Sequence, residues 1–176
     1  LGLEVQTGIA ETGVAALLEG GRPGRPLLLR LDMDALPVEE ATGAPYASLE
    51  PGRMHACGHD GHVAIGLGVA RLLHAYRAEL PGRVQLVFQP AEEGLGGAQR
   101  MLDAGVLEAE RPEVALGVHL WNARPLGWVG IPDGPMMAGA DVLEIEILGK
   151  GGHGAAPHQA HDPVVAAALV VSALQT

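Results

Sequence analysis

The chain has 176 residues, of which 48% are apolar and only 3% aromatic. This length and composition suit one domain, or one domain and part of a second, and exclude a highly charged disordered tail. With 21 acidic against 11 basic side chains the net charge is −10, which argues against a nucleic-acid partner and leaves carboxylates free to gather around cations.

In chain order, Leu1–Val5 reads as part of an element already under way, and the chain starts on Leu1 rather than Met. Pro26–Leu31 is a continuous apolar run behind the Gly/Pro-rich segment 20–25, the pattern of a buried strand. Val63–Leu80 carries apolar residues at helical spacing. Arg83–Phe88 is a second strand after the turn pair Pro81-Gly82, and Gly96–Leu107 a shorter helix. Val114–Leu120 is a third strand and Gly127–Ile131 a fourth. Strands alternating with helices predict an α/β layered domain with a largely parallel or mixed sheet.

The character then changes. Asp141–Leu148 includes strict apolar/polar alternation, the mark of a strand with one wet face. A glycine-rich run follows at 149–154, and a helix is expected from Pro163. A domain boundary is placed near Ala138, giving domains 1–138 and 139–176. The last helix has no C-cap signal before Thr176, so truncation at both ends is expected. A lone cysteine, Cys57, excludes an internal disulfide. With no apolar stretch of membrane-spanning length and no signal pattern, a soluble cytoplasmic protein without a membrane partner is expected.

Most of the chemistry sits in a few segments. His55–His62 (HACGHDGH) packs three His, one Cys and one Asp into eight residues just before a helix. Thiolate and imidazole suit zinc and other late divalent metals, and a two-residue offset in an extended loop puts Cys57 and His59 on one side. A buried Cys among structural histidines is the alternative. Phe88–Glu93 (FQPAEE) follows a predicted strand, where sites form in open α/β sheets. One of its adjacent carboxylates can bind metal while the other acts as a base; a solvated acidic loop is the alternative. His119 lies toward the end of an apolar strand, where a satisfied core histidine is the alternative, and reaches the same rim as Glu92 and Glu93 if the strands are parallel. His153, in the glycine-rich loop, is sterically free to meet a ligand; a flexible surface loop is the alternative. That loop lacks a Gly-Lys-Ser/Thr ending, which excludes a P-loop.

Taken in order, DMDALP (32–37), HACGHDGH (55–62), FQPAEE (88–93), GVH (117–119) and GKGGHGAAPH (149–158) resemble the amidohydrolase branch of the aminoacylase/carboxypeptidase-type (M20) metallopeptidases. That branch includes hippurate hydrolases, auxin-conjugate hydrolases and N-acetyl-diaminopimelate deacetylases. The resemblance implies a layered catalytic domain with an inserted small α/β lid, beginning here at 139–176. It also implies two divalent metal ions (Zn, Mn, Co or Ni) held by Cys57, His59, Glu93 and His119. Glu92 is then the general base, Asp34 orients a ligand, and His153 reaches the scissile carbonyl. Asp32 stands where related branches carry a ligating His and is not counted as a ligand. A further His ligand is expected from beyond the segment.

The implied reaction is hydrolysis of the amide of an N-acyl amino acid by a homodimer formed through the lid, with this piece alone inactive. Two rivals compete. A non-catalytic metal-binding module needs Cys57, His59 and His119 but no base. A cysteine-nucleophile hydrolase uses Cys57 with a nearby His.

Overall fold

A computed structural model describes residues 1–139 and 141–175. Its contacts divide the chain into two compact units, Leu1–Leu126 and Gly127–Thr176.

The first unit is a five-stranded sheet: β1 (Glu4–Ile9), β2 (Gly13–Glu19), β3 (Arg22–Asp32), β4 (Pro81–Gln89) and β5 (Val114–Gly117), in the order β1-β2-β4-β3-β5. The first two strands form an antiparallel hairpin that continues antiparallel onto β4. β4 and β5 flank β3 in parallel register, with Leu29 opposite both Leu86 and Leu116. The sheet is therefore mixed, with a parallel half at β4-β3-β5, and the α/β class expected from the alternating elements is the class observed. Helix α1 (His59–Ala75) links β3 to β4, and α2 (Gly97–Asp103) links β4 to β5.

The two helices cover opposite faces, because neighbouring strand residues point to opposite sides. Ala16, Leu29, Leu31, Val84 and Leu86 form one buried cluster with Ala70 of α1. Ala15 and Val87 form another with Ile9, Met101 of α2 and Val106. The fit of α1 to β3 depends on Gly66, since a Cβ there would run into the Leu31 side chain.

The hairpin β1–β2 escapes a sequence reading. Its turn takes left-handed conformations at Ala10 and Glu11, where no Gly or Asn marks them. Helix α1 starts at His59, four residues before the apolar periodicity, and stops at Ala75. β5 ends at Gly117, so His119 lies beyond the strand.

The second unit contains helix α3 (Pro163–Ala173), capped by Asp162, whose carboxylate accepts from Val164 N at 2.8 Å. An isolated bridge joins Lys150 and His161. Neither Gly127–Ile131 nor Asp141–Leu148 is a strand, contrary to expectation. Alternation alone makes no strand without a partner to accept its backbone hydrogen bonds, and among the described residues neither segment has one. No helix among the described residues is long and apolar enough to cross a membrane.

Candidate metal centre

The first unit gathers its chemical residues at the carboxyl ends of the parallel strands. β3 ends in Asp32, with Asp34 two residues on; β4 ends in Gln89, with Glu92 and Glu93 just after; His119 follows β5. The excursion after Asp34 is drawn back by paired backbone hydrogen bonds between Leu36 and Met54 at 2.9 and 3.1 Å. That closure returns the chain to the rim in time for Cys57.

Gly58 supplies the next bend. Its φ of +85° is a left-handed conformation that costs glycine little, and it turns the chain straight from Cys57 into α1. Cys57 and His59 thus come together through a sharp turn, not through an extended loop. After β4 another left-handed residue, Ala91 (φ +54°), swings the chain so that Glu92 and Glu93 face α1.

Asp34 locks two parts of the site. It accepts from His59 Nδ1–H at 3.1 Å through one oxygen and from the Glu93 backbone N–H at 3.1 Å through the other. Burial opposes its charge. The backbone N–H groups of Glu93, Glu92 and Asp34 itself, with His59 nearby, prevail and hold the carboxyl below its ordinary value.

The Nδ1–H bond to Asp34 leaves the lone pair of His59 on Nε2. That atom is fully buried and has no hydrogen-bond partner. Around it stand Glu93 at 3.7 Å, Asp32 at 3.8 Å and Glu92 at 3.9 Å, all too far for a hydrogen bond. A buried acceptor with no donor, ringed by carboxylates, is costly unless a cation joins them.

The same pattern recurs at His119. Its Nδ1–H donates to the Leu120 carbonyl at 2.7 Å, so Nε2 again carries the lone pair, 3.5 Å from Cys57 Sγ. Burial, the Glu93 carboxylate and the charges of Glu92 and Asp32 push the Cys57 thiol up to about 11. Without a cation, Cys57 is therefore a protonated thiol at neutral pH.

Among the described residues, three groups have donor atoms within 4.8 Å of one another: Cys57/His59/His119, His59/Glu92/Glu93 and Asp32/His59/His62. The first two share His59 and contain every ligand expected from the sequence in this unit. The third is closed, because both nitrogens of His62 already have partners: Nδ1 meets Asp32 at 2.5 Å and Nε2 accepts from Leu120 N at 2.8 Å. A mixed S/N/O set around an orphaned buried nitrogen fits a divalent metal.

His153 lies in the second unit, where its Nδ1 accepts from Ala155 N at 3.1 Å. His62 stood inside the sequence motif without an assigned role. Its spacing of three from His59, on a helix beginning at His59, was the signal that both share one helical face. A surface hollow at the opposite ends of β3 and β4 is lined by Glu19, Arg22, Arg83 and Glu110. Arg83 there is ion-paired with Glu19 at 3.0 Å and with Glu110.

The parallel rim and the donor set fit a metal-binding α/β domain, and comparison with known proteins gives the family. Residues 28–175 match the peptidase family M20/M25/M40, and the chain belongs to that family. It is 48% identical over 166 residues to an N-acyl-L-amino acid amidohydrolase of Geobacillus stearothermophilus, covering 94% of this chain and 44% of that protein. It is 46% identical over 166 residues to an N-acetylcysteine deacetylase of Bacillus subtilis, covering 94% of this chain and 43% of that one. Among solved structures it resembles the Bacillus subtilis YXEP protein, a dinuclear metal-binding peptidase of the M20 family. That match has a TM-score of 0.71 and 43% identity, and covers 76% of this chain and 37% of that one. The chain spans less than half the length of these curated relatives.

Proposed function

We propose that the whole protein hydrolyses the amide bond of N-acyl amino acids with the aid of two divalent metal ions. Cys57, His59, Glu93 and His119 hold the ions, with a further ligand supplied from outside this segment. The observation that carries the reading is the buried, partnerless Nε2 of His59 among three carboxylates. Relatives named for N-acyl amino acid and N-acetylcysteine hydrolysis support the substrate class. The dinuclear character of the YXEP protein supports the count of ions.

Metal bound there supplies Lewis acidity and makes water a stronger acid. The chain supplies proton handling and orientation. Glu92 is the more exposed of the two carboxylates and is free to serve as general base. It takes a proton from the attacking water and delivers it to the leaving amine. Asp34 keeps His59 in the tautomer that offers Nε2. The segment from 139 onward is read as the start of a lid that forms the homodimer. His153, assigned by its motif, hydrogen-bonds the carbonyl oxygen as charge develops on it.

Replacing Glu92 by Gln in the whole protein tests the assignment. Metal content measured by elemental analysis is expected to stay at the wild-type level. Release of amine from a panel of N-acyl amino acids is expected to fall by about 10²-fold or more. Near-normal turnover in that variant would remove Glu92 from its role. Metal uptake with no amine released by the wild type on any of the panel would favour a binding module instead.

A further inference from the structure

His62 is completely buried, makes no contact with the donor set through a free nitrogen, and has no part in the reaction as described. Its hydrogen bonds form one continuous chain. Arg30 donates to Asp32 Oδ2 at 2.7 Å, and through Nε to the Gln89 side chain at 2.7 Å. His62 Nδ1–H donates to Asp32 Oδ1 at 2.5 Å. The Leu120 backbone N–H donates to His62 Nε2 at 2.8 Å, and the Leu120 carbonyl accepts from His119 Nδ1–H at 2.7 Å.

Directionality settles the protons. A backbone N–H can only donate, so Nε2 of His62 bears no proton and Nδ1 does. Asp32, buried and held by Arg30, is the acceptor that selects this form. Packing reinforces the link, since a Cβ on Gly61 would run into the Leu120 side chain, which lies over the first turn of α1. The sequence Arg30–Asp32–His62–Leu120–His119 thus ties the ends of β3 and β4, the helix that bears His59, and the segment after β5.

We propose that His62, fixed by Asp32, is a positioning residue that sets the place and tautomer of His119 through the Leu120 peptide. The inference rests on the metal-site reading above. It also explains Asp32, which is not a ligand yet is buried at the rim of the site. Its two oxygens serve Arg30 and His62, which makes it the anchor of the relay.

The test uses the whole protein. Long-range ¹H–¹⁵N correlation on the metal-free wild type is expected to show His62 protonated on Nδ1 and bare on Nε2. Co²⁺ titration is then compared for wild type, His62→Leu and His62→Gln. Gln retains a donor for Asp32 and an acceptor for Leu120 N–H. His62→Leu is expected to weaken Co²⁺ binding about 10–100-fold and to change the sulfur-to-cobalt charge-transfer band, and His62→Gln to recover most of both. A folded His62→Leu protein with wild-type affinity and an unchanged band overturns the relay, as does a proton on Nε2 of His62 in the wild type. If His62→Leu does not fold, the wild-type tautomer decides. If the wild type takes up no Co²⁺, the metal reading fails, and the relay still stands or falls on that tautomer.

Discussion

At the scale of single residues, the site is governed by where protons reside. Cys57, pushed up to about 11, is protonated at neutral pH in the metal-free protein, while a cysteine ligand binds as thiolate. Metal uptake near pH 7 is therefore expected to release about one proton from Cys57 and to tighten as pH rises. Calorimetry in buffers of different ionisation enthalpy measures this, and proton release unchanged by Cys57→Ser would contradict it. Asp34 behaves in the opposite sense. Its folded value lies below the ordinary one, so its stabilising effect is present above the unfolded value and is lost as pH falls through the folded value. Acid unfolding of the metal-free protein is expected to lose part of its steepness in Asp34→Asn, and an unchanged profile would contradict the clamp on His59 and Glu93.

At the scale of elements, one face of α1 serves two ends. Its first turn carries His59 and His62, and farther along Gly66 lets it lie close on Leu31 of β3. Gly66→Val is expected to destabilise the fold by about 1–3 kcal/mol, read by denaturant unfolding, because the added methyl groups meet Leu31. A change below about 0.5 kcal/mol would mean that the helix yields easily at this point. Much of this was legible in advance. The apolar runs at Pro26–Leu31 and Arg83–Phe88 lie inside β3 and β4, whose parallel pairing brings their motif-bearing ends to one rim. The start of α1 was not legible, since His59–His62 has no apolar periodicity and a left-handed Gly58 leads into it. The β1–β2 hairpin lacked turn residues that announce it, and the alternation at Leu143–Ile147 had no partner strand to act on. Cys57, His59, Glu93 and His119 were legible as candidate ligands by type and motif. The part of His62 depends on which way a Leu120 peptide faces, and no residue pattern records that.

At the scale of the molecule, the candidate site is assembled from four separated stretches, and the proposed metal would relieve the repulsion among its carboxylates. Under the proposed function, loading would bear on folding as well as on turnover. A ligand present at 100 times its dissociation constant stabilises the folded state by about 2.7 kcal/mol, so a chelator is expected to lower the thermal midpoint of the whole protein measurably. In the proposed centre, sulfur and imidazole from different parts of the chain meet on one ion. X-ray absorption on the zinc-loaded whole protein reads this most directly. The expected result is a sulfur neighbour at about 2.3 Å with imidazole nitrogens at about 2.0–2.1 Å, and loss of the sulfur shell in Cys57→Ser. A shell of nitrogen and oxygen alone, the same in both proteins, would contradict it.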